Sequence, residues 1–305
     1  MASLTDTLGQ IAARLGDPEG QPVPLEGGIT NRNYLVRFAG EDMVVRLPGK
    51  DTELLGIDRS AERAAGELAA RAGVGPEVVA MLDDPPCLVT RFLVGEPMAA
   101  EELRERGTRA EVAAALRALH GCEERLPASF SGFRAVEAYA ARMADRGATV
   151  PSSYEWATAA AMRIEAVLVG PEHDPVPCHN DLLAANFIRT RRGIRIVDWE
   201  YAGMGDRYFD LGNFAVNNEL DQAGEAALLA AYFEAEASDR RLASLQLMRF
   251  MSDFREAMWG AVQSTISDLD FDFVAYCEEH FARMRDSVGA GRLERLLEEA
   301  ADASS

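Results

Sequence analysis

The period of the apolar positions changes about a third of the way along this chain. Tyr34-Leu-Val-Arg-Phe38 and Met43-Val-Val-Arg-Leu47 flank Ala39-Gly-Glu-Asp42, which predicts a β-hairpin. In the second strand Met43, Val45 and Leu47 share one face, turning Val44 and Arg46 to the other. Asp58 to Arg71, rich in Ala, Arg and Glu, predicts a helix ending at Gly73, with Gly75-Pro76 as a stop. Glu77 to Met81 and Cys87 to Leu93 predict two further strands about an Asp-Asp-Pro-Pro turn.

Gly95-Glu96-Pro97 breaks the alternation and sets the expected division into residues 1–94 and 95–305. Past it the helical period dominates. Val112, Leu116 and Leu119 fall on one face of a helix over 111–120 that Gly121 terminates. Further helices are expected over 134–146, 153–169, 207–219, 223–236, 241–267 and 272–286, with a fraying surface helix over 293–302. The one expected interruption is a hairpin. It turns at Arg191-Arg192-Gly193 and leaves through Ile194-Arg-Ile-Val-Asp198. The expected fold class is α+β, a small β-rich N-terminal lobe and a large, mostly helical C-terminal lobe.

Composition narrows the partners. A chain of 305 residues is long enough for a core divided between two lobes. With 31 basic and 50 acidic residues the net charge is −19, which disfavours nucleic acid and anionic membrane surfaces. No apolar run approaches the roughly eighteen residues of a membrane span. The opening Met-Ala-Ser-Leu-Thr-Asp lacks the basic-then-apolar order of a signal peptide. Cys87, Cys122, Cys178 and Cys277 have no metal-type spacing, so reduced thiols and a cytoplasmic location are expected. Homodimerisation is left open.

The chemistry concentrates in His179-Asn-Asp181-Leu-Leu-Ala-Ala-Asn186 and in Asp198. Kinase-type phosphoryl transfer requires an Asp to orient and deprotonate the attacking hydroxyl, an Asn a short step onward to reach a metal, and a later Asp to hold Mg²⁺. Asp181, Asn186 and Asp198 stand in that order. The competing reading is a solvated turn, since Asp and Asn are common turn formers. It does not explain why Asp198 ends an apolar β-run or why Asp181 abuts Leu-Leu-Ala-Ala. Upstream, Glu26-Gly-Gly-Ile-Thr-Asn-Arg-Asn33 suits a tight turn whose backbone N–H groups approach phosphates, with Gly28, Thr30 and Asn31 as its candidate positions. A plain hairpin turn is its default reading. Kinase order also calls for a basic residue on the following strand paired with an acid on the next helix. Arg46 and Glu62 fit, with Arg37 as the competing base and Lys50 placed beyond the strand.

Three segments together resemble the choline/ethanolamine kinase family within the aminoglycoside-phosphotransferase-like kinases. They are Leu25 to Val36 with Val44 to Gly49, Cys178 to Phe187, and Ile196-Val-Asp-Trp-Glu-Tyr-Ala-Gly-Met-Gly-Asp-Arg-Tyr-Phe-Asp-Leu-Gly-Asn213. The resemblance spans residues 20 to 285. It implies a bilobal protein-kinase-like fold binding ATP and Mg²⁺, with Asp181 as base, Asn186 and Asp198 as metal ligands, and Arg46 with Glu62 positioning phosphates. It places the adenine hinge at Thr90, Arg91 and Leu93, acting largely through backbone groups, and makes Asp210 a buttress of the catalytic loop.

The resemblance also implies a small amino-alcohol as acceptor, choline or ethanolamine. Choline kinases hold quaternary ammonium with aromatic rings, and Trp259 and Tyr276 match two cage positions. Glu256 stands where a third ring is a Trp, and Asn217 where a cage carboxylate is expected, with Glu219 as its substitute. Glu200 joins the expected acceptor side. A carboxylate in place of a ring suits an amine with N–H donors. The rival readings are a kinase for thiamine or an aminoglycoside, a non-catalytic nucleotide-binding protein, and a metal-dependent hydrolase.

Overall fold

The computed structural model describes residues 4–25, 31–49, 52–84, 86–170, 173–289 and 291–302. An opening helix, α1 (Leu4–Leu15), leads into β1 (Pro18–Leu25), β2 (Asn31–Phe38) and β3 (Glu41–Pro48). Then come α2 (Arg59–Arg71), β4 (Val78–Asp83) and β5 (Pro86–Arg91). The five strands form one antiparallel sheet in the order β1-β2-β3-β5-β4. The expected hairpin is tighter than its sequence pattern. Phe38 faces Glu41 across Ala39 and Gly40, both at positive φ. Two such residues make the turn whose twist matches the flanking strands.

Val36, Phe38, Met43, Val45, Leu47 and Val89 close the core on one face of this sheet together with Leu8 and Ile11 of α1. Arg46 therefore projects from the opposite face, as period-two geometry requires. Asp58 caps α2, accepting from the backbone N–H of Ser60 at 2.8 Å and of Ala61 at 3.2 Å. That cap fixes the first turn of α2, where Arg59 and Glu62 lie.

Beyond β5 the chain enters β6 (Gly95–Pro97), then α3 (Ala100–Arg104), α4 (Arg106–His120), α5 (Gly132–Asp145) and α6 (Tyr154–Leu168). Next are β7 (Val176–Cys178), β8 (Phe187–Thr190), β9 (Gly193–Ile196) and β10 (Gly203–Gly205). The chain closes with α7 (Arg207–Asn217), α8 (Gln222–Phe233), α9 (Asp239–Ile266), α10 (Phe273–Val288) and α11 (Arg292–Ala301). The expected β8–β9 hairpin is not alone, because β6 pairs with β8 and β10 with β7.

The 28-residue α9 runs through the middle of the helical part, flanked by α5, α7, α10 and α11. Its buried face widens to every residue from Leu247 to Gln263 except Arg249, so its sequence is apolar nearly all round with a few isolated polar groups. Gly212 lets α7 cross it closely, since a Cβ there would stand 2.8 Å from the backbone N of Arg249. Gly260 does the same for α10, where a Cβ would meet the Tyr276 ring at 2.9 Å. The C-terminal helix does not fray as expected. Leu293, Leu296, Leu297 and Ala300 of α11 are buried in the large core formed around α9.

Candidate active site

The segment between β7 and β8 is a loop held from beneath. Asp210, fully buried on α7, accepts the backbone N–H of His179 at 2.8 Å and of Asn180 at 2.6 Å. Its Oδ2 also lies 3.0 Å from Nε2 of His120, whose Nδ1 meets the Tyr232 hydroxyl at 2.7 Å. Asn213 accepts the N–H of Leu182 and donates to Ser252 at 2.9 Å. These contacts fix Asn180 at φ 68°, a left-handed conformation that Asn tolerates better than most residues. The turn directs Asp181 into the cleft between sheet and helices.

Asp181, Asn186 and Asp198 are brought to one place. Asn186 donates from Nδ2 to the Asp181 carbonyl at 2.8 Å, and its own carbonyl accepts from Val197 at 2.9 Å. Asp198 also has a left-handed backbone, φ 69°, a conformation that persists only where the surroundings enforce it. Its carboxylate accepts from Arg46 Nη1 at 2.8 Å.

Arg46 reaches Glu62 Oε1 with the same nitrogen at 2.9 Å. Burial by itself would lower the pKa of Arg46, but Asp198, Glu62 and Glu200 hold it above the ordinary arginine range. Arg59, which sequence reasoning passed over, bonds Glu62 at 2.7 Å, Glu200 at 3.3 Å and Asn31 at 3.2 Å. Its only signal was a position one turn before Glu62 on the same helical face. Asn31 donates to Glu200 at 2.8 Å. Three carboxylates and two guanidiniums thus share one buried network between the sheet and the loop after Asp198.

These positions bear on several sequence expectations. Glu200, expected on the acceptor side, is tied to Asn31 and Arg59 of the sheet unit. Arg91 turns away from the cleft, its guanidinium pairing with exposed Glu41 and Glu77 and its N–H with the Glu77 carbonyl. Thr90 pairs with both Val44 and Val78 inside the sheet, and Leu93 lies half-buried between β5 and β6. Arg37, the competing base, is spent on Glu19 and Asp42 at the surface. Glu219 projects to solvent against Arg104 and cannot substitute for Asn217. Asn217 itself ends α7 with Nδ2 buried and unpaired. Gly28, Thr30 and Lys50 lie outside the described residues.

On the far side of Asp181 the aromatic positions do meet. Trp259 and Tyr276 have ring centroids 5.9 Å apart, and Trp259 donates to the Tyr201 hydroxyl at 3.1 Å. Tyr276 donates to Glu256 Oε2 at 2.8 Å. Glu256 is not the free carboxylate its sequence position suggested, because Arg255 pairs with its other oxygen. Arg255 is only 1% exposed, stacks its guanidinium 4.2 Å over the Tyr201 ring, and reaches Asp181 Oδ1 at 3.3 Å. Sequence reasoning missed Arg255 altogether. An adjacent Arg-Glu pair inside a largely apolar helix was its one signal.

These neighbours set the electrostatics. Burial pushes the Asp181 pKa up to about 7. Arg255 opposes that rise, while Glu256, Asp198 and Glu200 add to it. Burial alone would raise Glu256, yet Arg255, His280 and the Tyr276 hydroxyl bring it below the usual carboxylate range.

An antiparallel sheet lying over a mostly helical unit, with the carboxylates in the cleft between, is the architecture of the protein-kinase-like phosphotransferases. The model of the phosphotransferase enzyme family matches residues 22–247. Ethanolamine kinase 2 of Rattus norvegicus is 30% identical over 285 residues, covering 83% of this chain and 72% of that protein. Protein LicA of Haemophilus influenzae is 26% identical over 207 residues, 68% of this chain but only 61% of its own length. A choline/ethanolamine kinase family protein from Mesorhizobium loti superimposes with a TM-score of 0.83 at 30% identity, covering 97% of this chain and 98% of that one. The chain belongs to the choline/ethanolamine kinase family of phosphotransferases. Among the described residues no helix is long and apolar enough to cross a membrane.

Proposed function

We propose that the protein is an ATP- and Mg²⁺-dependent kinase that phosphorylates the hydroxyl of a small amino-alcohol, with choline and ethanolamine as the first acceptors to test. The observation that carries this reading is the position of Asp181. It lies between an oxygen-ligand pair on one side, Asn186 with Asp198, and an aromatic and acidic cluster on the other, Trp259 and Tyr276 with Glu256.

In this reading Asp181 accepts the proton of the attacking hydroxyl. A carboxylate whose pKa is raised to about 7 is a stronger base than an ordinary Asp and about half ionised near neutral pH. The Asp198 carboxylate and the Asn186 amide are hard oxygen donors, the kind Mg²⁺ selects, so the residues present fit the metal. When bound, the metal would neutralise charge on the nucleotide phosphates. Arg46, braced by Glu62, would contact those phosphates, with Asn31 at the start of β2. The adenine would sit against the Thr90–Leu93 segment, through backbone groups rather than the Arg91 side chain. The lobe boundary at 94/95 coincides with this hinge.

An ADP-release assay tests the reading, with ATP and Mg²⁺ against ethanolamine, choline, thiamine and an aminoglycoside. Mg²⁺-dependent release with ethanolamine or choline supports it. Release confined to thiamine or the aminoglycoside would move the acceptor outside the amino-alcohols, and release without any acceptor would point to a hydrolase.

A further inference from the structure

A buried guanidinium with unmet donors requires an explanation, because each unpaired N–H forfeits its hydration. Arg255 is such a group. Nη1 serves both Asp181 and Glu256, while Nε and Nη2 are buried without a partner. No other arginine among the described residues lies so deep, and this one stands against the proposed catalytic base.

Resting on the amino-alcohol kinase reading, we infer that Arg255 receives a carboxylate of the acceptor, so that the natural substrate is an amino-alcohol that also carries a carboxylate, a hydroxy-amino acid. The charges around Arg255 favour this class. Glu256 is already compensated by Arg255, so it offers a bare ammonium less attraction than its sequence position implied. A zwitterion answers both ends of the pair. Its carboxylate meets the fork of Arg255, which is suited to planar oxyanions. Its ammonium meets Glu256, whose two oxygens retain acceptor capacity beyond Arg255 and Tyr276. No net charge is then added to the interior. The hydroxyl, one or two carbons away, falls beside Asp181, which Arg255 already touches.

L-serine is ethanolamine with one carboxylate added, and the two form a matched pair of probes. L-homoserine extends the spacing by one methylene. Catalytic efficiencies for the three are measured in the full chain and in Arg255→Lys, which keeps the charge and loses the fork, with Arg255→Met as a second variant. A far-UV circular dichroism spectrum and a thermal melt of each variant report on folding independently of turnover. The expected result is that L-serine or L-homoserine exceeds ethanolamine in wild type, and that the variants lower this ratio about ten- to a hundredfold, mainly through KM. Turnover of ethanolamine with none of either amino acid would overturn the inference. So would an equal loss for all three acceptors in a variant that keeps its fold, which would assign Arg255 to the transferred phosphoryl group. Failure of all three and of choline in wild type would instead sink the amino-alcohol reading on which the inference rests.

Discussion

Asp181 and Arg255 show how unequally the residues of one site are written in a sequence. Asp181, Asn186 and Asp198 are spaced by one loop and one hairpin, so local order alone proposes them as a set. Arg255 and Arg59 act across 74 and 141 positions, to Asp181 and Glu200, and no local pattern announces such pairs. Glu256 was legible as a position but not as a charge, since its compensation by Arg255 is a matter of which way two neighbouring side chains turn. That pairing makes a stability prediction. Glu256→Gln should destabilise the protein by about 3–5 kcal/mol, because Arg255 loses an anionic partner while remaining buried. Denaturant unfolding measures this, and an unchanged midpoint would show that Asp181 alone satisfies the guanidinium.

Elements with a strong period were legible, and those defined by their neighbours were not. The expected helix over 58–71 is α2 and that over 241–267 is α9, because capping and a sustained apolar period are local properties. Strand β1, Pro-Glu-Gly-Gln-Pro-Val-Pro-Leu, carries three prolines and reads as loop. It forms only because it is an edge strand, where missing N–H donors can face away from the sheet. Three-residue strands such as β7 and β10 are too short to show any period. Helix α11 is strongly charged, and only packing on α9 reveals that its leucines are core. Close helix crossings leave a sharper trace in the glycines. Gly212→Ala should cost roughly 1–3 kcal/mol by forcing α7 away from α9, and it should disturb the Asp210 and Asn213 contacts to the catalytic loop. A thermal melt and a turnover measurement on the same sample test both parts. Unchanged melting would mean that the crossing can relax.

At the scale of the molecule, the two units meet through charge as well as apolar packing, Leu68 and Val74 joining the core of Leu116 and Phe214, and Leu55 and Ile57 that of Phe133 and Tyr139. Arg46–Asp198, Arg59–Glu200 and Asn31–Glu200 span the cleft. A nucleotide and metal entering there would rearrange this network, so lobe position and ligand binding should be coupled. Asp198→Ala should abolish Mg²⁺-dependent ATP binding, whereas Asn186→Ala, which removes a neutral ligand, should weaken it less. Calorimetric titration with and without Mg²⁺ separates the two. Equal Mg²⁺-ATP affinity in wild type and Asp198→Ala would place the metal elsewhere.

The central claim is that Asp181 draws the proton from an amino-alcohol hydroxyl as phosphate is transferred to it. The most direct measurement follows the phosphorylated acceptor by ³¹P NMR, with ATP, Mg²⁺ and ethanolamine, L-serine or choline, in wild type and Asp181→Asn. The account predicts a new phosphomonoester signal growing in step with ADP in wild type. It predicts that the rate falls about 10²–10⁴-fold in the variant while Mg²⁺-ATP affinity stays within a few-fold. A folded Asp181→Asn protein that forms the same phosphomonoester at the wild-type rate would contradict it.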